Sequence, residues 1–410
     1  MASFGGIDLQ LSTGGGAVFA ITPDTDDLEF NYPAGTRGEV LLPHRSHNII
    51  VRGLQTRDHA TTLATARESA NRALDIAFGQ GRRPVLLKHR DSPYVAWWPT
   101  GHGTTLTVVA TLLSTARMSA TFEVRDSTGK LVESPPPPPK TWHESLRYYR
   151  VSESSNDLYD SFRNLYLALE SILSTMVPPH TNPSESEGRW LERALKTVAV
   201  TLDLAPFAPS NSMKSASNAI HEELYTNLRT AIFHAKAGRK IWLPQDWNSR
   251  QTITEARVRY STLFRKLAQA HLDIPYPGGG FVKTFWEEVM DDPILNDSVA
   301  YVSNDQTAVA DEPKGEYQIA PAGGQVLQLP TTTADDLHRD WCRGIRGTAT
   351  GQGITDVVGT IQRFGVLREG QLAMVENLPE PLSVEDAHQV DVVFLMEGRN
   401  YGAPRQDFDT

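Results

Sequence analysis

"NDLYDSFRNLYLALESILSTMV" (residues 156–177) is the stretch on which the fold turns. Leu158, Phe162, Leu165, Leu169, Ile172 and Leu173 recur every three or four residues, which lays one apolar stripe along a helix. The helix should stop before Pro178, which has no amide hydrogen to continue the ladder. A stripe of this width needs apolar partners, and the neighbouring sequence supplies them. "EGRWLERALKTVAVTLDL" (187–204) runs into Pro206, and "ARVRYSTLFRKLAQAHL" (256–272) ends before Pro275. Between them, "SASNAIHEELYTNLRTAIFHAKAG" (215–238) buries Ile220, Leu224, Leu228, Ala231 and Ala235, with Gly238 as a C-cap signal. Four amphipathic helices with short breaks specify a bundle over residues 141–275.

Two unlike punctuation marks bracket this region. "SPPPPPK" (134–140) reads as a stiff polyproline spacer and "YPGGGF" (276–281) as a flexible joint. Upstream, "HNIIVRGL" (47–54), "PVLLKH" (84–89), "YVAWWP" (94–99) and "TLTVVATLL" (105–113) are strand-like, and Leu63, Ala66, Ala70, Leu74 and Phe78 mark one helix. Downstream, "GQVLQL" (324–329), "GTIQRFGVL" (359–367), "QLAMVEN" (371–377) and "VDVVFLMEG" (390–398) are strand-like too. The expected architecture is multidomain α+β. A central all-α bundle is flanked by an α+β domain over 1–133 and a separate β-rich domain over 282–410.

The chain has 410 residues, 40% of them hydrophobic and 21% charged, which suits a protein with real cores. Its long apolar runs are broken by polar residues, so no membrane span is expected. The N-terminus lacks a basic start and a continuous apolar core, and Cys342 is the single cysteine. The cytoplasm is the expected compartment, and neither a metal site nor a cofactor is expected. A net charge of −10 argues against a protein that coats nucleic acid indiscriminately. Local basic patches remain, and Lys236, Arg239 and Lys240 form one just after His234.

Arg229 and His234 stand out near the end of the third helix. The spacing is common in this chain: Arg37 and His44, Arg52 and His59, Arg83 and His89, and Arg265 and His271 match it too. Arg265 and His271, in the fourth helix, are the true competitors. "PHRSHN" (43–48) has no acidic or cysteine partner at metal-ligand spacing, and "DDLHRDW" (335–341) reads as a solvated turn or helix. Trp97 and Trp98 read as core and edge packing. The triple glycines at 14–16 and 278–280 lack the lysine of a phosphate loop.

The helix reading "FRNLYLALE" (162–170) and the ending "RTAIFHAK" (229–236) together resemble the HEPN superfamily, closest to its Apea-like group and to methylamine-utilisation accessory proteins. The resemblance covers residues 150–275. It implies a four-helix bundle and, in ribonuclease members, a homodimer that cleaves RNA with an arginine and a histidine at the places of Arg229 and His234. Arg265 and His271 do not carry over. Thr230 stands where active members commonly carry Asn, Asp or His. That departure, with the acidic balance, favours the alternative of a non-enzymatic HEPN-fold module that dimerises and binds a nucleotide or protein partner.

At 100° per residue, Arg229 and His234 lie about 140° apart around a regular helix. Either local unwinding or two copies pooling residues across a two-fold axis would bring them to one phosphate. His234 could move the proton of a 2′-hydroxyl or of the leaving oxygen, and Arg229 could hold the phosphate. Lys236, Arg239 and Lys240 would support RNA binding, with Thr230, and Glu170 would orient Arg229 or serve as a surface charge. The flanking regions would take a trigger ligand or partner protein in a toxin-like defence role.

Overall fold

Alternating apolar residues from the two ends of the chain build common sheets. The protein is seen in a computed structural model that describes residues 1–23, 25, 29–34, 38–80, 82–88, 92–115, 130, 142–181, 184–210, 212–233, 241–274, 298–307, 319–337 and 342–399. It divides into two compact units, Met1–Thr115 with Val282–Arg399, and Ala116–Phe281.

In the first unit the early strands are β1 (Ser3–Phe4), β2 (Ile7–Asp8), β3 (Gly15–Thr22), β4 (Phe30–Ala34), β5 (Gly38–Leu42) and β6 (Asn48–Leu54). Helix α1 (His59–Gly79) follows, then β7 (Leu86–Leu87), β8 (Tyr94–Thr100) and β9 (Gly103–Thr115). The late strands are β10 (Ser298–Ser303), β11 (Val326–Leu329), β12 (Thr331–Thr333), β13 (Cys342–Ala349), β14 (Ile361–Arg368), β15 (Gln371–Ser383) and β16 (Gln389–Arg399). The larger sheet runs β12-β13-β16-β9-β8-β3-β6-β5-β4, with β7 on β3, and the smaller runs β11-β10-β14-β15-β1-β2. β16 lies parallel to β9 from Gln389↔Thr105 to Arg399↔Thr115, and β1 pairs antiparallel with β15.

The expectation of separate domains over 1–133 and 282–410 is therefore corrected. Both segments are halves of one unit, because each leaves a sheet edge that only the other fills. Val18, Trp97, Val108 and Val392 from the larger sheet enclose one core with Val302, Phe364, Val366 and Leu382 from the smaller. The opposite face of the larger sheet packs under α1 through Leu63, Ala66, Ala70 and Leu74, and the Arg67 guanidinium lies 4.8 Å from the Phe19 ring. Phe78, expected on that stripe, is exposed at the helix end, and Ala77 is buried in its place.

Among its described residues the second unit is built from helices: α2 (Glu144–Ser154), α3 (Leu158–Met176), α4 (Glu187–Val198), α5 (Ala216–His221), a π-helical segment (Glu222–Arg229), α6 (Thr230–Phe233) and α7 (Trp247–Leu272). Asp157 caps α3 by accepting the Asp160 amide, and the helix ends at Val177 before Pro178. Leu158, Phe162, Leu165, Leu169, Ile172 and Leu173 are all buried, as the stripe requires. Each contributes about 1.5–3 kcal/mol by leaving water. They meet Trp190 and Leu195 of α4, Ile220, Leu224 and Leu228 of the third helix, and Tyr260, Phe264 and Leu267 of α7.

Three features depart from the sequence reading. α2 was not expected, because it buries Ser145, Tyr149 and Ser152 and so shows no apolar stripe. α7 begins at Trp247 rather than near Ala256. The third helix is π-helical over Glu222–Arg229. Arg257 is sealed in this core, donating to Ser161 Oγ (2.5 Å), Ser152 O (3.3 Å) and Glu153 Oε1 (2.9 Å). The polyproline stretch 134–140, the joint 276–281 and the residues after 399 lie outside the described residues. No described helix is long and apolar enough to cross a membrane.

Candidate functional site

Arg229 closes the π-helical segment, and the line of side chains before it explains how it is held. In an α-helix, residues four apart lead one another by about 40° around the axis, so a column with that spacing drifts sideways. The wider π turn, bonded i→i+5, makes the same residues lag and reverses the drift. His221, Tyr225, Arg229 and Phe233 therefore stay in one column. The His221 and Tyr225 rings stack at 5.5 Å, and the Arg229 guanidinium lies 5.0 Å from the Tyr225 ring and 5.9 Å from the Phe233 ring.

Two other helices complete the setting. Tyr166 of α3 presents its ring 5.8 Å from the Arg229 guanidinium. Glu187, the first residue of α4, accepts Arg229 Nη2 through Oε2 at 2.5 Å and the Tyr166 hydroxyl through Oε1 at 2.7 Å. The Arg229 side chain is 19% exposed and that of Glu187 29%, so the ion pair sits at the rim of the core, where it is only partly screened. Gly188 lets α4 approach: a Cβ there would lie 2.8 Å from the Tyr225 ring.

The electrostatics are crowded. Burial raises the Tyr166 hydroxyl well above its usual range, and its hydrogen bond to Glu187 adds to that rise, so it stays a neutral donor. Glu170, one turn after Tyr166 on α3, is half-buried. Its carboxyl is raised by burial first and by Glu187 second, with Arg229 pulling the other way. Among the described residues, the charges of two carboxylates thus act on this guanidinium. Glu170 makes no hydrogen bond to Arg229 among the described residues; it contributes through its charge.

Of the residues singled out in the sequence, the structure brings Arg229 and Glu170 together. Thr230 donates its hydroxyl to Tyr225 O at 3.2 Å, tying it to its own helix. His234, Lys236, Arg239 and Lys240 lie outside the described residues. The competing pair divides: Arg265 Nε donates to the Tyr149 hydroxyl at 2.7 Å, against the core, whereas His271 is exposed near the end of α7. Trp97 is buried between the sheets and Trp98 only half-buried, the core-and-edge arrangement expected. Sequence reasoning missed Glu187, Tyr166, Tyr225 and Phe233. The four-residue spacing of 221, 225, 229 and 233 was a readable signal for two of them, but the contacts from α3 and α4 were not local.

Among the described residues, no group of three or more His, Cys, Asp or Glu side chains is placed to hold a metal ion. A shallow depression along α4, lined by Arg189, Glu192, Arg193, Lys196, Thr197 and Val200, contains none of the side chains that hold Arg229. Comparison with protein-family models, with curated proteins and with solved structures finds no match.

Proposed function

We propose that the protein is a metal-independent endoribonuclease of the HEPN type, working in the cytoplasm as a toxin-like effector of bacterial defence. The observation that supports this reading most is the setting of Arg229. Among the described residues, three aromatic faces hold a charged, partly desolvated guanidinium at the rim of a helical core, five residues before His234 in sequence. Such a cation is worth far more to a developing phosphorane than a freely solvated one, because its orientation is fixed beforehand.

In the proposed reaction the RNA 2′-oxygen attacks phosphorus as the P–O5′ bond breaks. His234 takes the 2′ proton or returns one to O5′, and Arg229 stabilises the added negative charge. The products are a 2′,3′-cyclic phosphate and a 5′-hydroxyl. DNA, lacking the 2′-hydroxyl, is spared. Two copies of the chain pool their residues in a homodimer, and Lys236, Arg239 and Lys240 hold the RNA backbone. A trigger ligand or partner protein acting on the sheet-rich unit completes the proposal.

The second reading is a non-enzymatic HEPN-fold module. The Glu187 carboxylate on Arg229 and the Thr230 hydroxyl bonded to its own helix favour it. The purified chain incubated with total cellular RNA and EDTA separates the two. We expect cleavage that His234→Ala and Arg229→Ala each abolish with the fold intact. Products ending in 5′-phosphate, or activity surviving His234→Ala, would overturn the enzyme.

A further inference from the structure

We propose that Glu187 is an internal substitute for the substrate phosphate, so that the site rests in a self-blocked state and RNA must displace this carboxylate from Arg229. The inference deepens the ribonuclease reading and rests on it for the identity of the ligand, but its geometry is independent. A carboxylate and a phosphate both accept from the same edge of a guanidinium, and Glu187 Oε2, 2.5 Å from Nη2, occupies the donor that a phosphate oxygen would use. Glu187 is not casually placed. Its second oxygen is held by the Tyr166 hydroxyl at 2.7 Å, and its position as the first residue of α4 suits a negative charge at the positive end of the helix.

Glu170 strengthens the block without touching Arg229. Its charge, close to Glu187, raises the cost of bringing a phosphate into the cluster. A phosphate therefore meets the charge of Glu170 as well as the Glu187 carboxylate.

The test uses the full chain and a fluorescent 2′-O-methyl RNA oligonucleotide, which binds but cannot be cleaved, with affinity read by anisotropy. Glu187→Gln keeps the side-chain size and the acceptor for Tyr166 while removing the charge. It should bind at least about tenfold more tightly than wild type, the scale of one charge-assisted hydrogen bond released. Adding Arg229→Ala should cancel the gain. Tyr166→Phe, which removes one of the two restraints on Glu187, should move affinity the same way by a smaller factor. Unchanged or weaker binding by Glu187→Gln, no detectable binding by any variant, or a gain that survives Arg229→Ala would each overturn the proposal. Cleavage of ordinary RNA is scored in parallel: tighter binding by Glu187→Gln without cleavage by any variant would retain the block and reject the ribonuclease.

Discussion

Arg257 and Glu153 form a lopsided pair, and the asymmetry can be measured. The Arg257 side chain has no exposure, whereas that of Glu153 is 24% exposed. In Arg257→Ala the hydrogen bonds to Ser161, Ser152 and Glu153 are lost, but these groups recover. Ser161 Oγ still donates to Ser152 O at 2.7 Å, Ser152 Oγ still donates to Ser161 O at 2.8 Å, and Glu153 rehydrates. The cost should be about 3 kcal/mol, the low end for breaking a buried pair. Glu153→Ala is the harsher change, because Arg257 cannot lose its proton and stays enclosed without that carboxylate; about 4–5 kcal/mol is expected. The double Ala variant should cost well below the sum, since the second change no longer strands a charge. Urea unfolding followed by far-ultraviolet circular dichroism gives all four corners of the cycle. If Glu153→Ala proves milder than Arg257→Ala, or the two costs add to within about 0.5 kcal/mol, the reasoning from burial fails.

Leu228, fully buried beside Arg229, should cost about 2–5 kcal/mol when truncated to Ala, whereas Arg229→Ala at the rim should cost less than half as much; equal losses of Tm would show that Arg229 is mainly a packing residue. His59, at the start of α1, offers a pH test. Burial lowers its pKa from 6.5; the charge of Asp336 opposes that and the charge of Arg346 reinforces it, while Asp58 raises and Arg67 lowers it more weakly. The unfolded chain then binds the proton more readily, so the His59 contribution is complete above about pH 6.5 and declines as pH falls through the lowered value. His59→Gln should unfold with a smaller loss of stability between pH 7 and pH 5 than wild type, and a larger loss would reverse the sign.

The helical unit was largely legible because its signal is periodic. Leu158 to Leu173, and Leu224 and Leu228, each announce a buried side at a spacing that only a helix satisfies. α2 was illegible because two of its three buried residues are serines: Ser145 bonds to His143 before the helix, and Ser152 to Ser161 of α3 and, through its carbonyl, to Arg257. The π turn was illegible for another reason: nothing in "EELYTNLR" demands it, and the contacts of Tyr225 and Arg229 with α3 and α4 accompany it. On the sheet side, "TLTVVATLL" and "VDVVFLMEG" were readable as strands. Alternation says which faces are apolar but not which strand lies alongside, so the parallel pairing of β9 with β16 could not be read. Of the site, the arginine was visible, and the carboxylate opposite it was not.

The pairing of β9 with β16 also sets a timetable for biosynthesis. About 270 residues separate Thr115 from Gln389, and at roughly 5–20 residues per second the ribosome needs on the order of 15–55 s to deliver the second strand. Throughout that interval β9 presents an unpaired edge carrying Leu106, Val108 and Ala110, residues that end fully buried. The helical unit emerges within the same interval and closes mostly local contacts, so it can fold first. The nascent chain therefore carries a finished helical unit on an open sheet for tens of seconds. Yield in a cell should accordingly depend on chaperones that shield strand edges, and it should rise when translation and growth are slowed together by lower temperature.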